Sequence, residues 1–221
     1  MKDITKKNSE LSSHRNSREA MNKGLEVVRG KPNDKKKIYR LKISLDDSEP
    51  EIWRRVLVPG KFSLEKLHFI IQIVMGWSNS HFHEFEINSK RYINPDHDPN
   101  GMDTFPPEFN EKKVKIADVL SKRDRFTYYY DFGDNWSHSI KVEEIQEPSE
   151  IFNYPLCIDG ANACPPEDCG GINGYYGLLE NLKDDGSEEY LEAMAWLGGQ
   201  FCLNSFDANR VNRDGLWGRK W

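Results

Sequence analysis

The chain has 221 residues, 37% hydrophobic and 12% aromatic, with a formal net charge of −5. That size suits one large globular domain or two small ones. A membrane helix is excluded, because no apolar run approaches the roughly 20 residues it needs and the longest, FIIQIVM from Phe69 to Met75, is interrupted by Gln72.

The first 30 residues are polar and carry no secretory signal, so a soluble, cytoplasmic protein is expected. Residues 1–37 hold 11 Lys and Arg against 5 Asp and Glu, a net of +6, which leaves −11 for the rest. Few aromatics and many Ser, Asn and Lys mark this stretch as a disordered basic arm on an acidic body, 38–221. Such an arm suits a protein or nucleic-acid partner, or serves only to solubilise. The acidic body speaks against a broad phosphate-binding surface, since affinity for nucleic acid rests largely on neutralised phosphates.

The ordered chain is expected to start near Ile38. IYRLKISL alternates, with Tyr39, Leu41, Ile43 and Leu45 on one face. A polar turn leads into a second strand, Ile52 to Val58, antiparallel to the first because the connection is short. Ser63 is placed to cap a helix whose stripe is Leu64, Leu67, Ile70, Ile71 and Val74, and Gly76 is placed to end it. His68 falls at the edge of that stripe and reads as a boundary histidine. In HFHEFEI, alternation puts His81, His83, Phe85 and Ile87 on one side. Asn94 to Asn110 reads as an irregular loop, and Val114 to Leu120 as a short strand or helical turn.

Phe126 to Val142, FTYYYDFGDNWSHSIKV, reads as a hairpin. A three-residue loop pairs Phe132 with Trp136 and Tyr130 with His138, and puts Phe126, Tyr128, Tyr130, Phe132, Trp136, His138, Ile140 and Val142 on one face. A two-residue loop at Gly133-Asp134 sets Asp131 against Trp136 instead. The first is preferred, because a one-residue slip carries a whole apolar set into water. Cys157 to Gly174, CIDGANACPPEDCGGING, is too rich in Gly, Pro, Asn and Asp for regular structure. One helix is expected from about Gly174 to Leu182. Another starts near Ser187, with Tyr190, Leu191, Met194 and Leu197 inward and Gly198-Gly199 as its end. Trp217 is expected to pack back on the body.

Three groups can carry chemistry. His81, His83 and His138 lie on otherwise apolar faces, and three imidazoles form an open zinc-type site that Asp131, Asp134 or Cys169 can complete. The bland alternative is three scaffold histidines, each bonded to a carbonyl or carboxylate. In CPPEDCGG, Cys164 and Cys169 have looser spacing than an ordinary zinc ribbon; Glu167 and Asp168 either cap the next helix or point into a cleft. Without an export signal, Cys157, Cys164, Cys169 and Cys202 are expected as reduced thiols, buried or metal-bound. Asp131-Phe-Gly-Asp134 lacks the surroundings of a kinase metal motif and reads as hairpin chemistry.

Taken in order, IYRLKISL, EIWRRVLVPG, SLEKLHFIIQIVMGW, HFHEFEI, YYYDFGDNWSHSIKVE, CPPEDCGGINGYYGLLENL and FDANRVN resemble the plasmid pRiA4b Orf-3-like family of small prokaryotic proteins. The resemblance covers about Ile38 to Asn209. It implies an α+β fold, mainly an antiparallel sheet with flanking helices, as a single domain behind the disordered arm. It also implies a link with mobile DNA elements, since some members carry a resolvase-type label. No activity transfers with that label, because the Tyr-x-Arg-x-Ser strand of a serine recombinase is absent. The family's recurrent positions fall on His81, His83, Phe85, Asp131, Gly133, Asp134, Trp136, His138, Pro165, Pro166, Glu167, Asp168, Cys169 and Gly170, none with an assigned role.

The expectation is therefore a binding or accessory module whose polar cleft, with Asp131, Asp134, Trp136 and Cys169, lies where the His-x-His strand, the hairpin turn and the CPPEDCGG loop meet. The alternative is a metal-dependent, zinc-type hydrolase with His81, His83 and His138 as ligands and Glu167 or Asp168 as catalytic base.

Overall fold

Alternation in the first two strands sets the frame. In the computed structural model, which describes residues 34–96, 108–148, 155–199 and 201–221, β1 (Ile38–Leu45) and β2 (Trp53–Pro59) pair antiparallel with Leu41 opposite Val56. Tyr39, Leu41, Ile43, Val56 and Val58 are fully buried on one face, while Arg40, Lys42, Trp53 and Arg55 look the other way. Residues 1–33, and with them most of the expected basic arm, lie outside the described residues. The described chain opens with a 3-10 turn at Asp34–Lys36.

The sheet grows on both sides. Its members are β3 (His83–Ile87), β4 (Lys90–Ile93), β5 (Glu108–Asn110), β6 (Arg125–Tyr130), β7 (Trp136–Gln146) and β8 (Leu156–Ala161), in the order β5-β4-β3-β6-β7-β1-β2-β8. Every pairing is antiparallel except β4 with β5. Three corrections to the sequence reading arise here. Glu108–Asn110 is a strand, not part of an irregular loop. Leu156–Ala161 is one too, because β2 offers a free edge whose backbone groups take partners whatever side chains face them. The hairpin turns over five residues, pairing Tyr130 with Trp136 and Tyr128 with His138. Asp131 adopts a left-handed backbone, φ 57°, which breaks the alternation and leaves Phe132 55% exposed instead of inward.

α1 (Leu64–Met75) covers the apolar face. Ser63 accepts from the Lys66 amide at its start, and Gly76, φ 89°, lets the chain leave at its end. Leu64, Leu67, Ile70 and Ile71 are fully buried, each contributing about 1.5–3 kcal/mol. His68 is buried as well, not at a boundary, and bonds the Tyr128 hydroxyl and Asn79. A single helical turn, α2 (Ile116–Val119), follows β5.

Beyond β8, α3 (Gly171–Asn181) starts three residues before the expected Gly174, and α4 (Glu188–Trp196) starts next to Ser187 as read, with Ser187 as its cap. Leu191 is 60% exposed and Ala193 takes the inward place. The chain closes with α5 (Ala208–Val211) and a π-helical turn, Asn212–Leu216. There Leu216 is buried and Trp221 stacks on Phe62, so these two, not the half-exposed Trp217, hold the tail. Among the described residues, no helix is long and apolar enough to cross a membrane.

Candidate functional site

Three connections converge beside the end of α1: residues 76–82 before β3, the turn between β6 and β7, and the loop 162–170 before α3. Trp77 donates through Nε1 to the Pro165 carbonyl at 3.0 Å. The Gly170 amide donates to Asp134 Oδ2 at 3.2 Å. Gly171 approaches Asp134 so closely that a β-carbon would stand 2.4 Å from the Asp134 carbonyl oxygen, at φ +67°. No other residue fits there without displacing the turn.

His81, Asp131 and Asp168 meet at this junction, with one donor atom from each inside 4.8 Å of the others. His81 Nε2 lies 3.1 Å from Asp168 Oδ1 and 3.6 Å from Asp131 Oδ2. That nitrogen is enclosed and makes no hydrogen bond to either carboxylate. Asp131 is fixed from both ends of its backbone. Its amide donates to the Phe82 carbonyl, its carbonyl accepts from Asn135, and its Oδ1 accepts from the Gly133 amide at 2.9 Å. Oδ2 is left facing the imidazole. Asp131 and Asp168 both have left-handed backbones, φ 57° and 60°, a conformation that costs a non-glycine residue of order 1 kcal/mol and clusters at functional sites.

Glu167 stands next to this group and is fully engaged. Its Oε1 accepts from the Tyr130 hydroxyl at 2.5 Å, and its Oε2 from the Ser78 amide at 2.8 Å and hydroxyl at 2.5 Å. Burial alone would raise its pKa, but these donors overcome it and hold the carboxyl below its ordinary range. Such a carboxylate, with both oxygens accepting hydrogen bonds and its pKa held down, positions the loop and is a weak base. Neither Glu167 nor Asp168 caps α3, whose N-cap is Gly170 with no side-chain bond.

The other sequence candidates lie elsewhere. His83 Nε2 sits 2.9 Å from Glu111, both buried, and its ring stacks on His68 with centroids 3.4 Å apart. His138 is fully buried, with Nδ1 against the Trp136 and Tyr128 carbonyls and the ring edge-on to Trp77. Burial drives its pKa down to about 4, so it is a neutral core group. Trp136 is buried against Trp77, a floor and not a contact surface. Cys169 faces the Gly171 carbonyl, and burial with the Asp134 charge pushes its thiol up to about 11. The four cysteines form no disulfide with one another; Cys157 is buried and Cys202 is exposed.

Ser78 and Tyr130 were the members sequence reasoning did not single out. The polar run Trp77-Ser78-Asn79-Ser80, directly before HFH, was the available signal for the first. Tyr130 looked like any inward aromatic. Glu111, the partner of His83, reads as a surface residue in Glu111-Lys112-Lys113 and gives no signal at all.

The family model for plasmid pRiA4b ORF-3-like protein matches residues 37–214. The uncharacterized protein y4hQ of Sinorhizobium fredii is 37% identical over 161 residues, 73% of this chain and 81% of that protein. The crystal structure of a protein of unknown function, MM3350 from Methanosarcina mazei Go1, superposes with a TM-score of 0.69 at 38% identity, covering 79% of this chain and 97% of that one. With its one mainly antiparallel sheet and a family match running from before β1 into the closing π-helical turn, the chain belongs to the pRiA4b ORF-3-like family.

Proposed function

We propose that the chain is a binding module whose polar cleft holds a divalent cation through His81, Asp131 and Asp168. The observation that carries this reading is the spacing of the three donor atoms. Ligands about 2.0–2.2 Å from one ion stand about 3.0–3.5 Å from each other; His81 Nε2 lies 3.1 and 3.6 Å from the two carboxylates, and all three donor atoms lie within 4.8 Å of one another. The enclosed, unbonded imidazole nitrogen supports it, as do two carboxylates held in costly backbone conformations by Gly133 and by the packed loop. One nitrogen and two oxygens suit zinc or manganese. Relative to the three-histidine set, Asp131 and Asp168 replace His83 and His138, which are engaged in the core.

A second reading, a metal-dependent hydrolase, draws on the same donors. Three protein ligands leave coordination positions for water and a substrate oxygen, and Asp168 is largely exposed on that side.

The test is calorimetric titration of chelator-treated protein with zinc and manganese. One equivalent is expected, weakened at least tenfold by His81→Ala and by Asp168→Asn, and retained by His83→Gln if that variant keeps its circular dichroism. Absence of binding, or binding that survives His81→Ala, overturns the proposal.

A further inference from the structure

A second polar site lies on the far side of Trp77, in a cleft of about 530 Å³ between the end of α1 and residues 205–219. Its base is Arg54, on the apolar face of β2, where alternation calls for a residue like its neighbours Ile52 and Val56. The side chain is 2% exposed. Nε donates to the Val74 carbonyl, and Nη1 to the Trp53 and Ala161 carbonyls, all at 2.8 Å. Phe206 lies over the guanidinium at 4.1 Å. Among the described residues, Nη2 makes no hydrogen bond and no carboxylate lies in ion-pair range of Arg54.

A buried cation is ordinarily matched by an anion. The carbonyls at the end of α1 supply part of that match through the helix dipole. The side chains beside it supply none, because Cys157 and Cys164 are pushed by burial up to about 11 and 12 and stay neutral. The mouth of the cleft carries Arg210 and Arg219. Its two carboxylates are occupied: Asp207 caps α5 through the Asn209 and Arg210 amides, and Asp214 sits 2.9 Å from Arg213 and 3.7 Å from Arg210. The walls are closely packed. A β-carbon on Gly215 would stand 2.4 Å from Ile73, and one on Gly160 would stand 2.5 Å from Phe206, so both sides are packed to contact.

We propose that this cleft binds a small oxyanion, a phosphate or a dicarboxylate, with the free edge of Arg54 at its base and Arg210 and Arg219 at its mouth. Guanidinium forks match the geometry of both groups. The site is separate from the cation site and stands or falls without it.

The test is thermal unfolding of the full chain in inorganic phosphate, in succinate and in sodium chloride at equal ionic strength. A saturable rise in Tm is expected with phosphate, succinate or both, and which of them responds identifies the anion. The double variant Arg210→Ser, Arg219→Ser removes the surface pair with Asp214 and the Arg219 bond to the Gly215 carbonyl, so its rise is read against its own Tm in chloride, and its apparent affinity should fall about tenfold. Arg54→Lys, which keeps the charge and loses the fork, should weaken binding further. No rise beyond that in chloride, or a rise the double variant leaves unchanged, overturns the proposal.

Discussion

Asn212 holds Cys157 by both sides of its backbone: Oδ1 accepts from the Cys157 amide at 2.8 Å and Nδ2 donates to its carbonyl at 2.7 Å. Both residues are buried, so a side chain does for β8 what another strand would do. Asn212→Ala leaves a buried donor and acceptor unsatisfied and is expected to lower stability by about 2–4 kcal/mol. Asn212→Asp, which keeps an acceptor but loses the donor, should be destabilising as well. Urea unfolding followed by tryptophan fluorescence measures both, and an effect under about 0.5 kcal/mol would show that the bond pair is not needed.

Gly171→Ala is expected to cost about 1–3 kcal/mol, through its positive φ and the contact with Asp134. Because that contact seats the loop carrying Asp168, metal affinity should fall with it. Gly177→Ala is the contrast. It lies inside α3 with open space around it, and should stabilise by about 0.5–1 kcal/mol.

Glu167→Gln separates positioning from ligation. The neutral amide cannot take three strong donors, so the tie between Ser78, Tyr130 and the loop loosens. Removing a partner of this kind beside a metal ligand typically costs about 10–100-fold in affinity. Titration with zinc should show that loss with the stoichiometry unchanged; a loss of the site altogether would make Glu167 itself a ligand.

His138 sets an acid limit on stability. An unfolded histidine titrates near about 6.5, while burial holds this one at about 4. Between those values the unfolded chain takes up a proton that the folded chain refuses. Stability is therefore unaffected by this group above about pH 6.5 and falls as pH drops toward 4, by about 3 kcal/mol in all. Urea midpoints from pH 7 to 4.5 should show the slope, and His138→Gln should flatten it.

Thiol chemistry should be slow. Burial holds Cys157 and Cys169 at about 11 and Cys164 at about 12, so almost no thiolate exists at pH 8. Cys202 is exposed. One fast equivalent with a disulfide reagent, lost in Cys202→Ser, is expected, and two fast equivalents would place a second thiol at the surface.

Elements whose cause is local were readable in the sequence. β1, β2 and α1 follow from alternation, a three-and-four stripe, Ser63 and Gly76, and the inward set from Phe126 to Val142 was correct apart from Phe132. What failed depended on partners far along the chain. β8 is a strand because β2 needs one, although Asp159 and Gly160 argue against it locally. The five-residue turn has left-handed backbones at both Asp131 and Asn135, and spacing alone cannot distinguish that from a shorter loop. His81, His83 and His138 look alike as inward imidazoles. Only the fold gives one to Glu111, one to backbone carbonyls and one to two aspartates.

The sheet ends on β8, and an unpaired strand border is a template on which another chain can add itself. By occupying the outward peptide groups of Cys157, Asn212 works as a stopper at that border. A chain cut before Asn212 would leave those peptide groups of β8 without their partner, and gel filtration of that truncation is expected to show association that the full chain lacks.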